Sequence, residues 1–109
     1  MNKKIIGMDI GGTTFSSSLF DEDLNVIKTS PKELISNISS TTDLLDRLVE
    51  QVNSFNCNEL IGIGIACPGP LDSKKGIILD TPNLLLLKNI NLKNELESRT
   101  SLPVWVEND

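Results

Sequence analysis

The sequence contains no histidine and only two cysteines, Cys57 and Cys67. Without histidine, Ser-His-Asp and Cys-His catalysis are excluded, and any general base must be a carboxylate. The cysteines stand ten residues apart, so neither a CxxC pair nor a Cys/His zinc set can form within this chain. Both read as plain reduced thiols in or near the core. No apolar stretch approaches the roughly 18 residues that span a membrane. The start Met1-Asn2-Lys3-Lys4-Ile5 carries a charge pair, but Asp9 interrupts the following apolar residues too early for a signal peptide. A cytoplasmic protein with no membrane partner is expected. Basic residues are few, 10 against 15 acidic, giving a net charge of -5. They are scattered, and without a basic stripe no nucleic-acid partner is expected. Repeats, low-complexity segments and linkers are also missing.

What is present is the composition of an ordinary globular chain, 39% hydrophobic and 23% charged. Its 109 residues suffice for one domain with a real core. Residues 3–10 read as a buried strand and 13–20 as its hairpin partner. Asp21-Glu22-Asp23 is a polar turn, and Leu24 to Thr29 fits a third, edge-like strand. Ser30-Pro31 ends this antiparallel meander, because proline supplies no ladder donor. Residues 36–42 form a loop rich in hydroxyls. Thr41 or Thr42 caps a helix running to about Ser54, with Leu44, Leu45, Leu48, Val49, Val52 and Phe55 on one face. Asn56-Cys57-Asn58 breaks it.

Leu60 to Ala66 is a strand of two characters. Ile61, Ile63 and Ile65 share one face, and Gly62, Gly64 and Ala66 the other. The small face suits a central strand covered by helices on both sides. Cys67-Pro68-Gly69-Pro70 stops it, and a hairpin of 71–76 turn and 76–80 strand follows. Thr81-Pro82-Asn83 opens a loop, and Leu84 to Leu87 has no period. Asn91 caps a short helix of about Leu92 to Arg99, with Leu92 and Leu96 inward. Pro103 to Val106 is a last strand, and Glu107-Asn108-Asp109 lies just past its end. The order is β-β-β-α-β-(β)-α-β. The fold class is α/β: an antiparallel three-strand meander plus parallel strands in one mixed sheet, flanked by helices.

Three motifs carry chemistry. In Asp9-Ile10-Gly11-Gly12-Thr13-Thr14, two glycines reach positive φ and expose their N–H groups. Thr13 and Thr14 add hydroxyl donors, and Asp9 can hold hydrated Mg²⁺ at a phosphate's edge. Read alone, the same stretch is also a glycine hairpin turn with an Asp cap. It is neither GxxxxGK[ST] nor GxGxxG. In Cys67-Pro68-Gly69-Pro70-Leu71-Asp72, two prolines around a glycine make a rigid corner at a central strand's carboxyl end. Ligands favour that place in open α/β sheets, although a stiff turn needs no ligand. In Glu107-Asn108-Asp109, an amide beside a carboxylate suits a polyol, one fixing a hydroxyl and the other taking a proton. The bland reading is a polar terminus.

Together these motifs carry a resemblance. Gly7-Met8-Asp9-Ile10-Gly11-Gly12-Thr13-Thr14, residues 62–72 (Gly-Ile-Gly-Ile-Ala-Cys-Pro-Gly-Pro-Leu-Asp), Thr81-Pro82-Asn83-Leu84 and residues 102–109 (Leu-Pro-Val-Trp-Val-Glu-Asn-Asp) resemble the ROK family. ROK stands for repressors, open reading frames and kinases, and the family includes bacterial glucokinases. The resemblance covers nearly the whole chain. The first motif belongs to the wider actin/hexokinase/Hsp70-like superfamily, and the second and fourth are more specific. The resemblance implies a ribonuclease-H-like (actin-like ATPase) lobe and an ATP-dependent hexose kinase. It assigns Asp9, Gly11, Gly12, Thr13 and Thr14 to the phosphates of ATP and to Mg²⁺, with Asp9 reaching the metal through water. It assigns Gly69, Asn83 and Asn108 to the sugar, and Asp109 to the sugar and to the role of catalytic base.

Two departures stand out. Family members often carry a basic residue where this chain has Thr14, and Gly-Trp where it has Leu85-Leu86-Leu87. The resemblance further places the adenosine pocket, more sugar ligands and a zinc cluster in a second half. Residues 1–109 are therefore expected to be one domain, the N-terminal lobe of a kinase whose second lobe is absent. The fragment alone is expected to be inactive and able to self-associate, its parent a homo-oligomer. The alternatives are the sugar-sensing domain of a ROK transcriptional regulator, or a non-catalytic self-associating fragment. Such regulators carry a winged-helix segment before the Asp-x-Gly-Gly-Thr turn, and the eight residues before Asp9 are too few for one.

Overall fold

The computed structural model describes residues 3–79 and 85–108. The apolar run before the glycine turn is β1 (Lys4–Ile10), and the run after it is β2 (Thr14–Phe20). They pair antiparallel from Ile5↔Phe20 to Ile10↔Phe15. Strand alternation puts Ile6, Met8, Ile10, Phe15 and Leu19 on one buried face. β3 (Val26–Thr29) completes the meander as an exposed edge. It starts later than the pattern suggests, because Leu24 sits at φ 65 in a tight turn. There Asp21 Oδ1 accepts the Asp23 and Asn25 amides, both at 2.9 Å.

Ser30-Pro31 does not end the pairing. The Ser30 amide still donates to the Ser17 carbonyl at 2.8 Å. Past Pro31 the chain returns to β2 as β4 (Glu33–Leu34), a two-residue strand absent from the sequence expectation. The helix α1 (Thr41–Ser54) follows. Its cap is Ser40 rather than Thr41 or Thr42: Ser40 Oγ accepts the Asp43 amide at 3.0 Å. Leu44, Leu45, Leu48, Val52 and the following Phe55 are buried as its period requires.

β5 (Leu60–Cys67) runs parallel to β1 on one side and to β8 (Val104–Asn108) on the other. Between them, β6 (Leu71–Asp72) and β7 (Ile77–Ile78) form a hairpin shorter than expected, and α2 (Leu92–Thr100) is capped by Asn91. Asp80, the expected end of that hairpin, lies outside the described residues, as do Thr81, Pro82, Asn83 and Leu84. Residues Leu85–Leu87 make a 3-10 turn that buries Leu87. The main sheet has the order β3-β2-β1-β5-β8, with β4 on β2.

The expectation of helices on both faces of β5 is not met among the described residues. Ile63 and Ile65 join one core with Leu44, Leu48, Leu92 and Leu96, so both helices cover the same face. Ile61 does not follow them inward and is 46% exposed, beside a register shift opposite Lys4 and Ile5. On the other face the Trp105 ring lies against Gly62, where a Cβ would come within 2.6 Å of it. Gly64 has open space in front of it. Among the described residues no helix is long and apolar enough to cross a membrane.

Candidate active site

β1, β5 and β8 are neighbours and parallel, so their carboxyl ends lie along one edge of the sheet. Each end delivers one of the three motifs. Register aligns them closely: Asp9 is opposite Ala66, and Ala66 opposite Glu107. One step further, Cys67 is opposite Asn108. Asp9 and Glu107 thus stand on one face of the sheet, two strand spacings or about 10 Å apart. Asn108 belongs to the opposite face, the one that buries Val104 and Val106.

The glycine turn is closed by the Gly11 amide, which donates to the Thr14 carbonyl at 2.8 Å. The expected positive φ is not found there: among the described residues the left-handed glycine is Gly76, at φ 71. Space does not demand glycine at Gly11 either, since a Cβ there would lie 3.4 Å from the Thr14 carbonyl oxygen, an ordinary contact. Gly12 and Thr13 are exposed, and Thr14 is half-buried at the start of β2. Asp9 is exposed at the end of β1, with no hydrogen-bond or ion-pair partner among the described residues. Its carboxylate is therefore open to solvent beside the turn.

The second and third motifs touch. A Cβ on Gly69 would lie 2.5 Å from Asn108 Nδ2, so the corner leaves just the room that the Asn108 amide fills. The corner itself includes a cis Gly69–Pro70 peptide, and the Pro70 carbonyl accepts the Leu79 amide at 3.0 Å. Glu107 and Asn108 lie inside β8, not past its end. Pairing with Ala66 and Cys67 carries the strand through two residues that read as a polar terminus. Asn83 and Asp109 lie outside the described residues. Of the two thiols, Cys67 is buried and Cys57 half-buried.

Metal chemistry fits this edge in one way only. Among the described residues, no three His, Cys, Asp or Glu side chains gather to hold an ion by themselves. Asp9, without a partner among the described residues, instead suits Mg²⁺, which keeps most of its waters and is held by one or two carboxylates together with phosphate oxygens.

Residues 5–109 match the ROK family over almost the whole chain. The chain belongs to the ROK family. It is 36% identical over 108 residues to a glucokinase of Thermotoga maritima, a match covering 97% of this chain and 33% of that protein. It is 31% identical to a beta-glucoside kinase of Listeria innocua, over 97% of this chain and 35% of that protein. Among solved structures it resembles a ROK family glucokinase from Streptomyces griseus in complex with glucose and AMPPNP. The TM-score is 0.84 at 29% identity, covering 96% of this chain and 33% of that one. It also resembles a ROK family transcriptional regulator, homologous to the E. coli MLC protein, with a TM-score of 0.81 at 28% identity over 97% of this chain and 28% of that one. The fold of this ROK chain is accordingly that of an actin-like ATPase lobe. The chain spans about a third of the length of these relatives.

Glu107 escaped the assignment of roles from sequence. Only the parallel register places it in a row with Asp9, and no local pattern announces that row.

Proposed function

We propose that this chain is the N-terminal lobe of an ATP-dependent hexose kinase and is inactive without its second lobe. The observation that carries the reading is the convergence of three motifs at the carboxyl ends of three adjacent parallel strands, where open α/β sheets bind ligands. The kinase names of its relatives support it.

In this reading the Gly11–Thr14 turn offers backbone amides and the two hydroxyls to the phosphates of ATP. Asp9 holds hydrated Mg²⁺ beside them, and the metal supplies charge neutralisation on the phosphates. Gly69, Asn83 and Asn108 face the hexose. Asn108 fixes one hydroxyl, and its own position is set by the Gly69 corner. Asp109 accepts the proton of the attacking hydroxyl. Phosphoryl transfer asks little covalent chemistry of the protein, so positioning and electrostatics do most of the work.

The test is a hexose panel with MgATP, run on this chain and on the protein extended by whatever its reading frame encodes after residue 109. The extended protein is expected to phosphorylate a hexose, and Asp109→Asn to lower its kcat by about 10²–10⁴-fold, the usual worth of a general base. Turnover by residues 1–109 alone would refute the claim that a second lobe is needed. An extended protein that binds hexose without phosphorylating it would sink the kinase reading. That outcome favours the second reading, a sugar-sensing domain of a transcriptional regulator, which the likeness to the MLC homologue supports.

A further inference from the structure

β4 is two residues long, yet it grips the segment that carries the phosphate turn. Leu34 pairs with Thr14 and Glu33 with Phe15. The next amide, Ile35 N–H, donates to the Thr13 carbonyl at 2.8 Å. Residues 33–35 are thus a strap across Thr13, Thr14 and Phe15. Leu34 is 45% exposed, so the strap's apolar anchorage is Ile35 alone, partly buried against the core.

Its polar anchor is the Glu33 carboxylate. One oxygen accepts Gln51 Nε2 at 2.7 Å, and the other accepts an Arg47 guanidinium N–H at 3.2 Å. Both partners are on α1. Gln51 is buried and bonds through both ends of its amide, because its Oε1 accepts the hydroxyl of buried Ser17 on β2. Ser17 in turn donates its backbone N–H to Ser30 Oγ at 2.9 Å. The helix therefore holds β2 directly through Ser17 and holds the strap through Glu33. A polar chain inside an apolar core is costly unless every member is satisfied. Here every buried side-chain polar atom among the described residues has a partner.

We propose that Glu33 is a positioning residue for the phosphate turn: held by Arg47 and Gln51, it presses the strap onto Thr13–Phe15 and fixes the backbone that faces the phosphates. Its functional meaning rests on the kinase reading above, but its test does not, because it needs no nucleotide. Amide hydrogen exchange is followed by NMR on the 109-residue chain. Two amides report on the mechanism: Ile35, bonded to Thr13, and Gly11, which closes the turn on Thr14. Ile63, buried on β5 and donating to Pro103 at 2.9 Å on the side of the sheet away from the strap, is the control.

Glu33→Ala is expected to speed exchange at both Ile35 and Gly11 by about tenfold or more, the scale of one lost charge-assisted hydrogen bond, with Ile63 unchanged. Glu33→Gln, whose amide oxygen can still accept from Gln51, is expected to restore most of the protection. Should Glu33→Ala fail to fold, Arg47→Met decides the matter at the same two amides. It removes only the partly exposed partner and is expected to speed both by about threefold, a fraction of a typical hydrogen bond. Unchanged exchange at Gly11 in whichever variant decides, even with a loosened Ile35, overturns the proposal. An extended protein that binds hexose without phosphorylating it would count against the kinase reading and leave this result standing.

Discussion

At the scale of single residues, Gly69 carries the sharpest consequence. Its missing Cβ is the space occupied by the Asn108 amide. Gly69→Ala must push that amide aside, and the amide is the end of a side chain, so it can rotate away. The substitution is therefore expected to leave the thermal midpoint within a few degrees of wild type, the shift of less than about 1 kcal/mol in a domain this size. In the extended protein it is expected to raise the KM for hexose by about tenfold or more, the loss of one sugar hydrogen bond. A kcat/KM unchanged by Gly69→Ala would remove Asn108 from the sugar site. Gly76 is the opposite case. It combines φ 71 with a Cβ direction blocked by Lys93 Cβ, which cannot rotate away. Its cost would fall on folding, not on ligand binding.

At the scale of elements, α2 and β8 are joined by a pair of side chains doing backbone work. Glu97 Oε2 accepts the Val104 amide at 3.0 Å, and Lys93 Nζ donates to the Val104 carbonyl at 2.6 Å and to Glu97 at 2.9 Å. Together they satisfy both groups of Val104 on the edge strand β8. The Lys93 ammonium, followed by the Val104 amide, holds the Glu97 carboxyl below its ordinary value. A depressed folded pKa gives stability that is present above the unfolded value, about 4.3 for glutamate, and is lost as pH falls through the lower folded value. Glu97→Gln is thus expected to melt lower than wild type at pH 7 and to converge with it toward pH 2, followed by far-UV circular dichroism. Asp21, held low chiefly by the Asn25 amide, titrates in the same direction but is common to both proteins, so the difference isolates Glu97. Parallel curves at all pH values would mean the pair contributes no charge-dependent stability.

The elements also mark where sequence was legible. Periodicity sufficed for β1, β2, α1 and α2, because each buries a regular face: Leu44, Leu45, Leu48 and Val52 leave no doubt about α1. The first two motifs were legible as turns at strand ends, because glycine and proline punctuate strands. β4 was not legible, since two residues carry no period and its reason for pairing is the distant Arg47–Gln51 anchor. The cap of α1 was misplaced by one or two residues within Ser39-Ser40-Thr41-Thr42, four hydroxyls among which only backbone geometry chooses. Glu107 and Asn108 read as a terminus because neither favours strands, and only pairing with β5 holds them in one.

At the scale of the molecule, the described residues cover the sheet with helices on one face and with none on the other. Trp105 is 58% exposed there, its ring laid on Gly62, and the Phe20 ring lies across Gly7, whose Cβ would come within 2.9 Å of it. Apolar surface of this kind draws copies together unless charge keeps them apart. The chain carries -5 at pH 7, and its isoelectric point is about 4.6. The self-association expected of the chain is therefore proposed to be gated by charge. Sedimentation velocity should give a monomer at pH 7 in low salt and associated species near pH 4.6. Trp105 is the single tryptophan of the chain, so its fluorescence reads this face alone. A blue shift on association places the Trp105 face in the contact. Association with unshifted emission assigns it to another surface, and a monomer at both pH values means that net charge was never the restraint.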